Sequence, residues 1–213
     1  FQAEDGIRDC LLSRGLGDVY KRQIMLSVMT QAVSNASFGI YFPKFIGTIY
    51  EVLSAPINFL EIVVGYVGAA ASKALFIGLV ILATSLFFVD IEIIHPIIMI
   101  LFLVFTCISF SLLGFILGVW ANNFEQLQLV PLLIITPLVF LGGSFYSISM
   151  LPKFWLVVSL FNPVVYLIAG VWWAFYDHSD VSIVTSLLAI ILFTGFCIFI
   201  IFMIFKTGWR LRP

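Results

Sequence analysis

The sequence predicts an all-α fold: a polytopic helical membrane protein with five transmembrane helices, a cytoplasmic amphipathic helix and two short external re-entrant helices. Three observations carry this expectation. Of 213 residues, 62% are apolar and only 10% charged, whereas soluble domains are about 45–50% apolar and about 25% charged. Stretches of 16 to 29 residues without Asp, Glu, Lys or Arg recur along the chain, close to the roughly 20 that a membrane helix needs. The basic residues between those stretches fall mostly on one side of alternate crossings. A soluble monomer could not keep so much apolar surface from water. The composition therefore excludes an ordinary cytosolic enzyme, a nucleic-acid binder and a disordered chain. The net charge of -1 says nothing about partners.

The N-terminal segment differs from the rest. Residues 1–23 hold 8 of the 21 charged residues. The segment has no apolar h-region and no small-residue cleavage site, so it is not read as a signal peptide. Its weak helical spacing is interrupted by Gly6, Gly15 and Gly17. It closely resembles translated sequencing-adapter read-through, and it is set aside as a non-native segment. Residues 24–213 are then the membrane domain.

The expected spans are 24–42, 68–89, 96–119, 128–147 and 183–205. Pro131 and Pro137 lie inside a full-length apolar run and predict a kink rather than a break. Asn162-Pro163 splits 154–176 into two pieces too short to cross about 30 Å of hydrocarbon. They are read as interfacial or re-entrant helices, whose backbone protein must cover. The tail carries Lys206, Arg210 and Arg212, which places it in the cytoplasm. Counting back, five basic residues lie inside (Lys44, Lys73, Lys206, Arg210 and Arg212) and one outside, Lys153. The same count puts Ile24 on the outer side, which predicts a further helix upstream and six in all.

The most informative loop is 43–61. Phe45, Ile49, Val52 and Leu53 recur at helical spacing, with Lys44, Thr48 and Glu51 on other faces, and Pro56 ends the pattern. This reads as a short amphipathic helix at the membrane surface. It is either a docking element for a cytoplasmic partner or a lipid-facing helix with none. Glu61 and Lys73 fall near the cytoplasmic end of the following span. Lys73 would contact a substrate headgroup or snorkel to the interface, and snorkelling is the expected behaviour. Gly114-Phe-Ile-Leu-Gly118 is a GxxxG face, expected to pack within the chain rather than at a dimer seam. Gly142-Gly143 allows a sharp change of direction.

Catalytic patterns are weak. Cys10, Cys107 and Cys197 form no CxxC pair and read as packing residues. Glu92-Ile-Ile-His95 has one half of a di-iron spacing without the other. Asp177-His178-Ser179-Asp180 reads as a solvated turn, and the Asn35-Ala-Ser37 sequon lies inside a span. No Walker loop and no GxSxG occurs. No metal site is expected. Trp155, Trp172, Trp173 and Phe175 suit an interfacial belt as well as a ligand path.

From Ile24 onward the chain resembles the membrane subunits of bacterial type-2 ATP-binding-cassette exporters. Two passages carry the resemblance. Tyr50-Glu-Val-Leu-Ser-Ala-Pro56 is similar to the family's E-x-L-x-x-P segment. Leu141-Gly-Gly-Ser-Phe-Tyr-Ser-Ile-Ser-Met-Leu-Pro152 followed by Asn162-Pro-Val-Val-Tyr166 is similar to its LGG-x-F…LP…NP-x-x-Y signature. The resemblance implies six membrane helices, of which this chain carries the second to sixth. It implies that Tyr50, Glu51, Leu53 and Pro56 belong to a coupling helix docking on an ATPase subunit. It assigns Gly114, Gly118, Gly142, Gly143, Asn162, Pro163 and Tyr166 to helix packing and the external re-entrant region. It also implies a homodimer of permeases in the bacterial inner membrane, with ATP and Mg held by the partner and no cofactor in this chain. The substrate would be amphipathic: a drug, a lipid or a saccharide-like molecule. Trp172 stands where the family often has Arg, and Asp177 lies where it often has a nearby Gly. Rival readings are an ATP-independent secondary transporter, which usually shows inverted repeats and midplane charges, and a lipid-modifying membrane enzyme.

Overall fold

The computed structural model describes residues 2–54, 56–88, 94–142, 152–176 and 181–208, with side chains from residue 24 onward apart from 53, 86 and 176. The regular elements among them are all helical. They are α1 (Gln2–Ile46), α2 (Ile49–Ser54), α3 (Phe59–Phe88), α4 (Pro96–Trp120), α5 (Phe124–Leu141), α6 (Lys153–Leu160), α7 (Pro163–Tyr176) and α8 (Ile183–Thr207). Four of them, α3, α4, α5 and α8, are long and apolar enough to cross a membrane.

Helix α1 departs from expectation in three ways. Its backbone runs unbroken from Gln2, through Gly6, Gly15 and Gly17, and it continues past Pro43 to Ile46. Its 24–46 portion has the length of a span but is diluted by Gln31, Asn35 and several serines. The reason lies in its neighbours. Met29, Ala32, Val33, Ala36 and Ile40 are buried, and the helix lies against α3 and α4. A face that meets protein rather than lipid has no need of large apolar side chains.

Contacts between helices fix their directions. Ser109 of α4 hydrogen-bonds Thr194 of α8 at 2.8 Å, and the rings of Phe115 and Phe205 stack further along. The two helices are therefore parallel. Val33 meets Gly114 and Ile40 meets Gly118, so α1 runs parallel to α4 as well. In α3, Tyr66 meets Phe115 and Gly78 meets Leu103, so α3 is antiparallel to α4. Helix α5 starts beside Tyr41 and Phe45 at the Lys44 end, and its last turn reaches Asn162 and Val164 of α7. The end of α5 and the start of α8 thus lie at the same end of the bundle. The α6–α7 pair, bent by 88° at its break, enters and leaves from that one side. This is the re-entrant arrangement expected from Asn162-Pro163.

The α1–α4 seam is the closest in the bundle. A Cβ at Gly114 would overlap the Val33 carbonyl, and one at Gly118 would overlap the Ile40 side chain and come within 2.5 Å of the Ser37 carbonyl. Ser37 Oγ donates to the Gly114 carbonyl at 2.8 Å. Lipid tails are as apolar as leucine, so close packing and hydrogen bonds, not water exclusion, hold such helices together. The GxxxG face is therefore spent within the chain, as its spacing suggested. Helix α5 runs unbroken through Pro131 and Pro137.

Three expectations about the inner half need correction. The second span begins at Phe59 rather than residue 68, because a helix tolerates Glu61 where a search for charge-free stretches stops at it. Lys73 consequently sits 14 residues from one end of α3 and 15 from the other, between the levels of Phe115 and Leu103 on α4. It does not lie near the cytoplasmic end. Phe45 also does not belong to the amphipathic helix: it lies in the last turn of α1, and α2 starts at Ile49.

Helix α7 packs between α5 and α8 at the outer end. At the inner end a groove of about 550 Å³ remains, lined by apolar side chains including Leu117, Trp120, Ile134, Ile200 and Met203.

Two outcomes are expected. Gly118→Leu destabilises the protein in detergent by about 1–3 kcal/mol through overpacking, while Gly195→Leu, which meets open space, leaves the melting temperature unchanged. Single cysteines at Phe154 and Val184 react with an impermeant maleimide from one side of the membrane, and one at Asn123 from the other. Opposite labelling of Phe154 and Val184 would mean that the α6–α7 pair crosses.

Candidate functional site

The inner end is built from the ends of α1 and α4. Helix α4 leaves carbonyls without intrahelical donors. Lys44 Nζ donates to two of them, Val119 O at 2.6 Å and Ala121 O at 3.1 Å. A cation there also complements the helix dipole. Tyr41 Oη donates to Asn122 O at 3.1 Å, and its ring meets Phe124 edge-on at 5.0 Å. Nothing in the sequence marked Lys44 and Tyr41 for this role. Their partners are more than 70 residues away, and only their shared helix face (three residues apart) hinted at joint action.

Immediately beyond, Gly47 turns the chain at φ 92°, a conformation that suits glycine. Its N–H donates to Pro43 O at 3.0 Å, ending α1. Helix α2 follows as a single short element. Ile49, 1% exposed, anchors it in a cluster with Ile40, Val63, Phe115 and Ile201. Tyr50 and Glu51 face away from the bundle and are exposed, as is Pro56 beyond the helix. Leu53 is helical, but its side chain lies outside the described residues. Phe42, Phe45, Ile46 and Ile57 extend an exposed apolar surface around α2. A buried anchor with outward aromatic and acidic side chains is what a rigid docking element requires. Pro56 follows α2 by two residues, where proline disfavours further helix.

The outer end is held by Asn162-Pro163-Val-Val-Tyr166. At the close of α5, Gly142 N–H bonds Val139 O at 3.2 Å, which leaves Leu138 O without its usual donor. Asn162 Nδ2 donates to it at 2.5 Å. Asn162 Oδ1 meanwhile accepts from Val164 N–H at 3.0 Å, which makes Asn162 the N-cap of α7. Pro163 occupies the first helical position, where its missing N–H costs nothing. Tyr166 Oη donates to Leu160 O at 2.8 Å, closing the end of α6. Three helix ends are thus satisfied by two side chains four residues apart.

Gly142 has φ -73°, an ordinary helical value. It contributes closeness rather than a change of direction: a Cβ there would come within 2.7 Å of Val164. Gly143, most of the 141–152 signature, Glu92 and the 177–180 turn lie outside the described residues. At the far end of α7, Ala174 O accepts from Ile94 and His95 N–H at 3.2 and 3.1 Å, and the His95 and Trp173 rings stack at 4.2 Å. The α7 side chains Val165, Leu167, Val171 and Ala174 are buried, while Phe154 and Phe161 at the two ends of α6 are exposed.

Asn162→Ala leaves Leu138 O unpaired and α7 uncapped, which costs about 1–3 kcal/mol. Tyr166→Phe removes one hydrogen bond at an exposed site and costs about 1 kcal/mol or less. Thermal unfolding in one detergent reads both. Equal losses would contradict the assignment of the two roles.

Comparison with known proteins agrees with this architecture. Residues 16–176 match the family model described as ABC-2 type transporter. Over 189 residues, the chain is 39% identical to inner membrane transport permease YadH of Escherichia coli strain K12, covering 89% of this chain and 74% of that protein. YadH of Shigella flexneri matches with the same identity and coverage. The chain belongs to the ABC-2 type transporter family, as a multi-pass membrane subunit of the inner membrane.

Proposed function

We propose that the chain is the permease subunit of an ATP-binding-cassette exporter. It moves an amphipathic substrate (a drug, a lipid or a saccharide-like molecule) out of the cytoplasm. ATP and Mg are bound and hydrolysed by a separate subunit, and two permeases pair with two ATPases. The observation that carries this reading is α2: a short helix fixed to the bundle by Ile49, with Tyr50 and Glu51 exposed at the Lys44 end.

Such a helix acts as a lever. A partner that holds α2 in one place before nucleotide binding and in another after it biases the bundle between two arrangements. The coupling equals the difference between its contacts in the two states. Glu51 offers a carboxylate for a basic residue of the partner, and Tyr50 offers apolar area with a polar tip. Because Ile49 shares a cluster with α1, α3, α4 and α8, displacement of α2 reaches four helices at once. The α6–α7 pair caps the outer end, where the substrate leaves.

The double variant Glu51→Arg, Leu53→Asp is expected to abolish co-purification with the ATPase and ATP-dependent efflux, while the permease still inserts and accumulates. Complex and transport left intact would overturn the coupling role of α2.

A further inference from the structure

Lys73 is the one Lys or Arg within residues 45–152, and it stands on the exposed face of α3 midway along the helix. Among the described residues it makes no hydrogen bond or ion pair. A lysine stem covers only part of the roughly 15 Å from bilayer centre to interface. An ionisable side chain at that depth normally faces protein or water and has a partner.

Within residues 24–213, a second copy offers no carboxylate at the level of Lys73. No Asp or Glu lies within residues 24–50, 62–89, 96–124, 126–176 or 181–213. Two copies related by an axis along the membrane normal place equal residues at equal depth. A mobile anion can bring the counter-charge that this face lacks among these residues.

The face around Lys73 is asymmetric. Towards the inner end, the exposed positions nearest Lys73 are Ser72, Ala69, Gly68 and Gly65, with Val64 and Leu60 beyond them, and a Cβ at either glycine would meet open space. Towards the outer end they are Phe76, Leu79 and Val80, followed by Ala83, Thr84 and Phe87. Helical side chains lean towards the helix N-terminus, so Lys73 leans over the shallow inner half. Glu61 is the like-charged group for an arriving anion on this face, and it lies three turns away at the start of α3.

We propose that Lys73 and the shallow track leading to it form a binding site for the anionic headgroup of an amphiphile entering from the inner leaflet. The proposal rests on the permease reading, because it names the chemical class of the substrate. The headgroup slides over Gly65 and Gly68 to the ammonium, and its tail stays in lipid.

The test is equilibrium binding of radiolabelled dodecyl phosphate and of dodecylphosphocholine to the full-length protein in phosphatidylcholine nanodiscs. Wild type is expected to bind dodecyl phosphate about tenfold more tightly than the zwitterion, the value of one charge-assisted hydrogen bond. Lys73→Met abolishes that preference and Lys73→Arg keeps it. Gly68→Leu weakens binding with Lys73 in place. Phosphatidylglycerol added to the disc competes, which supports a membrane headgroup as the source. Inorganic phosphate competing as well as dodecyl phosphate would overturn the amphiphile, as would a preference that survives Lys73→Met or is absent from wild type. Binding is read without nucleotide, so failure to capture an ATPase partner would defeat the permease reading and leave this result standing.

Discussion

A backbone group without a hydrogen-bond partner is far more costly in hydrocarbon than at a wet surface. That constraint governs this structure. Continuous helices satisfy themselves except at their ends, and most of their ends lie at the membrane surfaces. The re-entrant α6–α7 pair cannot follow that pattern, since it puts an extra helix end within the outer half of the bundle. Asn162 and Tyr166 remove the cost by closing α5, α6 and α7 together. Lys44 and Tyr41 do the same for α4 at the opposite face. Between these two tied ends, the glycines of α4 let α1 approach until main chain meets main chain.

The two ends have different character. At the outer end nearly every polar group of the NP-x-x-Y passage is spent on neighbouring helices, and α7 is packed into the bundle. At the inner end α2 is held by one buried side chain and turns its polar side chains outward. The first arrangement resists movement, and the second offers a handle for it. The coupling role proposed for α2 would draw on this asymmetry: a place to be pushed and an outer structure stiff enough to respond as a unit.

Much of this architecture was legible in the sequence. Long charge-free stretches located α4, α5 and α8, and Asn162-Pro163 divided α6 from α7 because proline cannot continue a helix from the preceding turn. Other features were not legible, each for a physical reason. Glu61 read as a boundary although α3 runs through it, and Lys73 read as lying near the cytoplasmic end although it stands midway along α3. Phe45 fitted the spacing of α2, but a periodicity cannot show where Gly47 breaks it. The low apolarity of α1 makes sense only once its neighbours are known. The bond from Asn162 to Leu138 joins residues 24 apart, and no local pattern records it. For the candidate site, spacing put Ile49 on the apolar face of an amphipathic helix at the membrane surface, and the resemblance named Tyr50 and Glu51. The depth of Lys73 emerged only from the contacts of Tyr66 and Gly78.

The α1–α4 seam orders the rest of the bundle, and disulfide cross-linking in native membranes tests it most directly. With Cys10 replaced by serine and Cys107 and Cys197 buried, paired cysteines at Tyr41 and Ala121, which share a buried cluster at the inner end of the seam, can be oxidised selectively. A cross-link within one chain, seen as a product of monomer mass, is the expected result. A dimer-sized product in its place would show that the glycine face joins two copies and that the packing described for α1 is wrong.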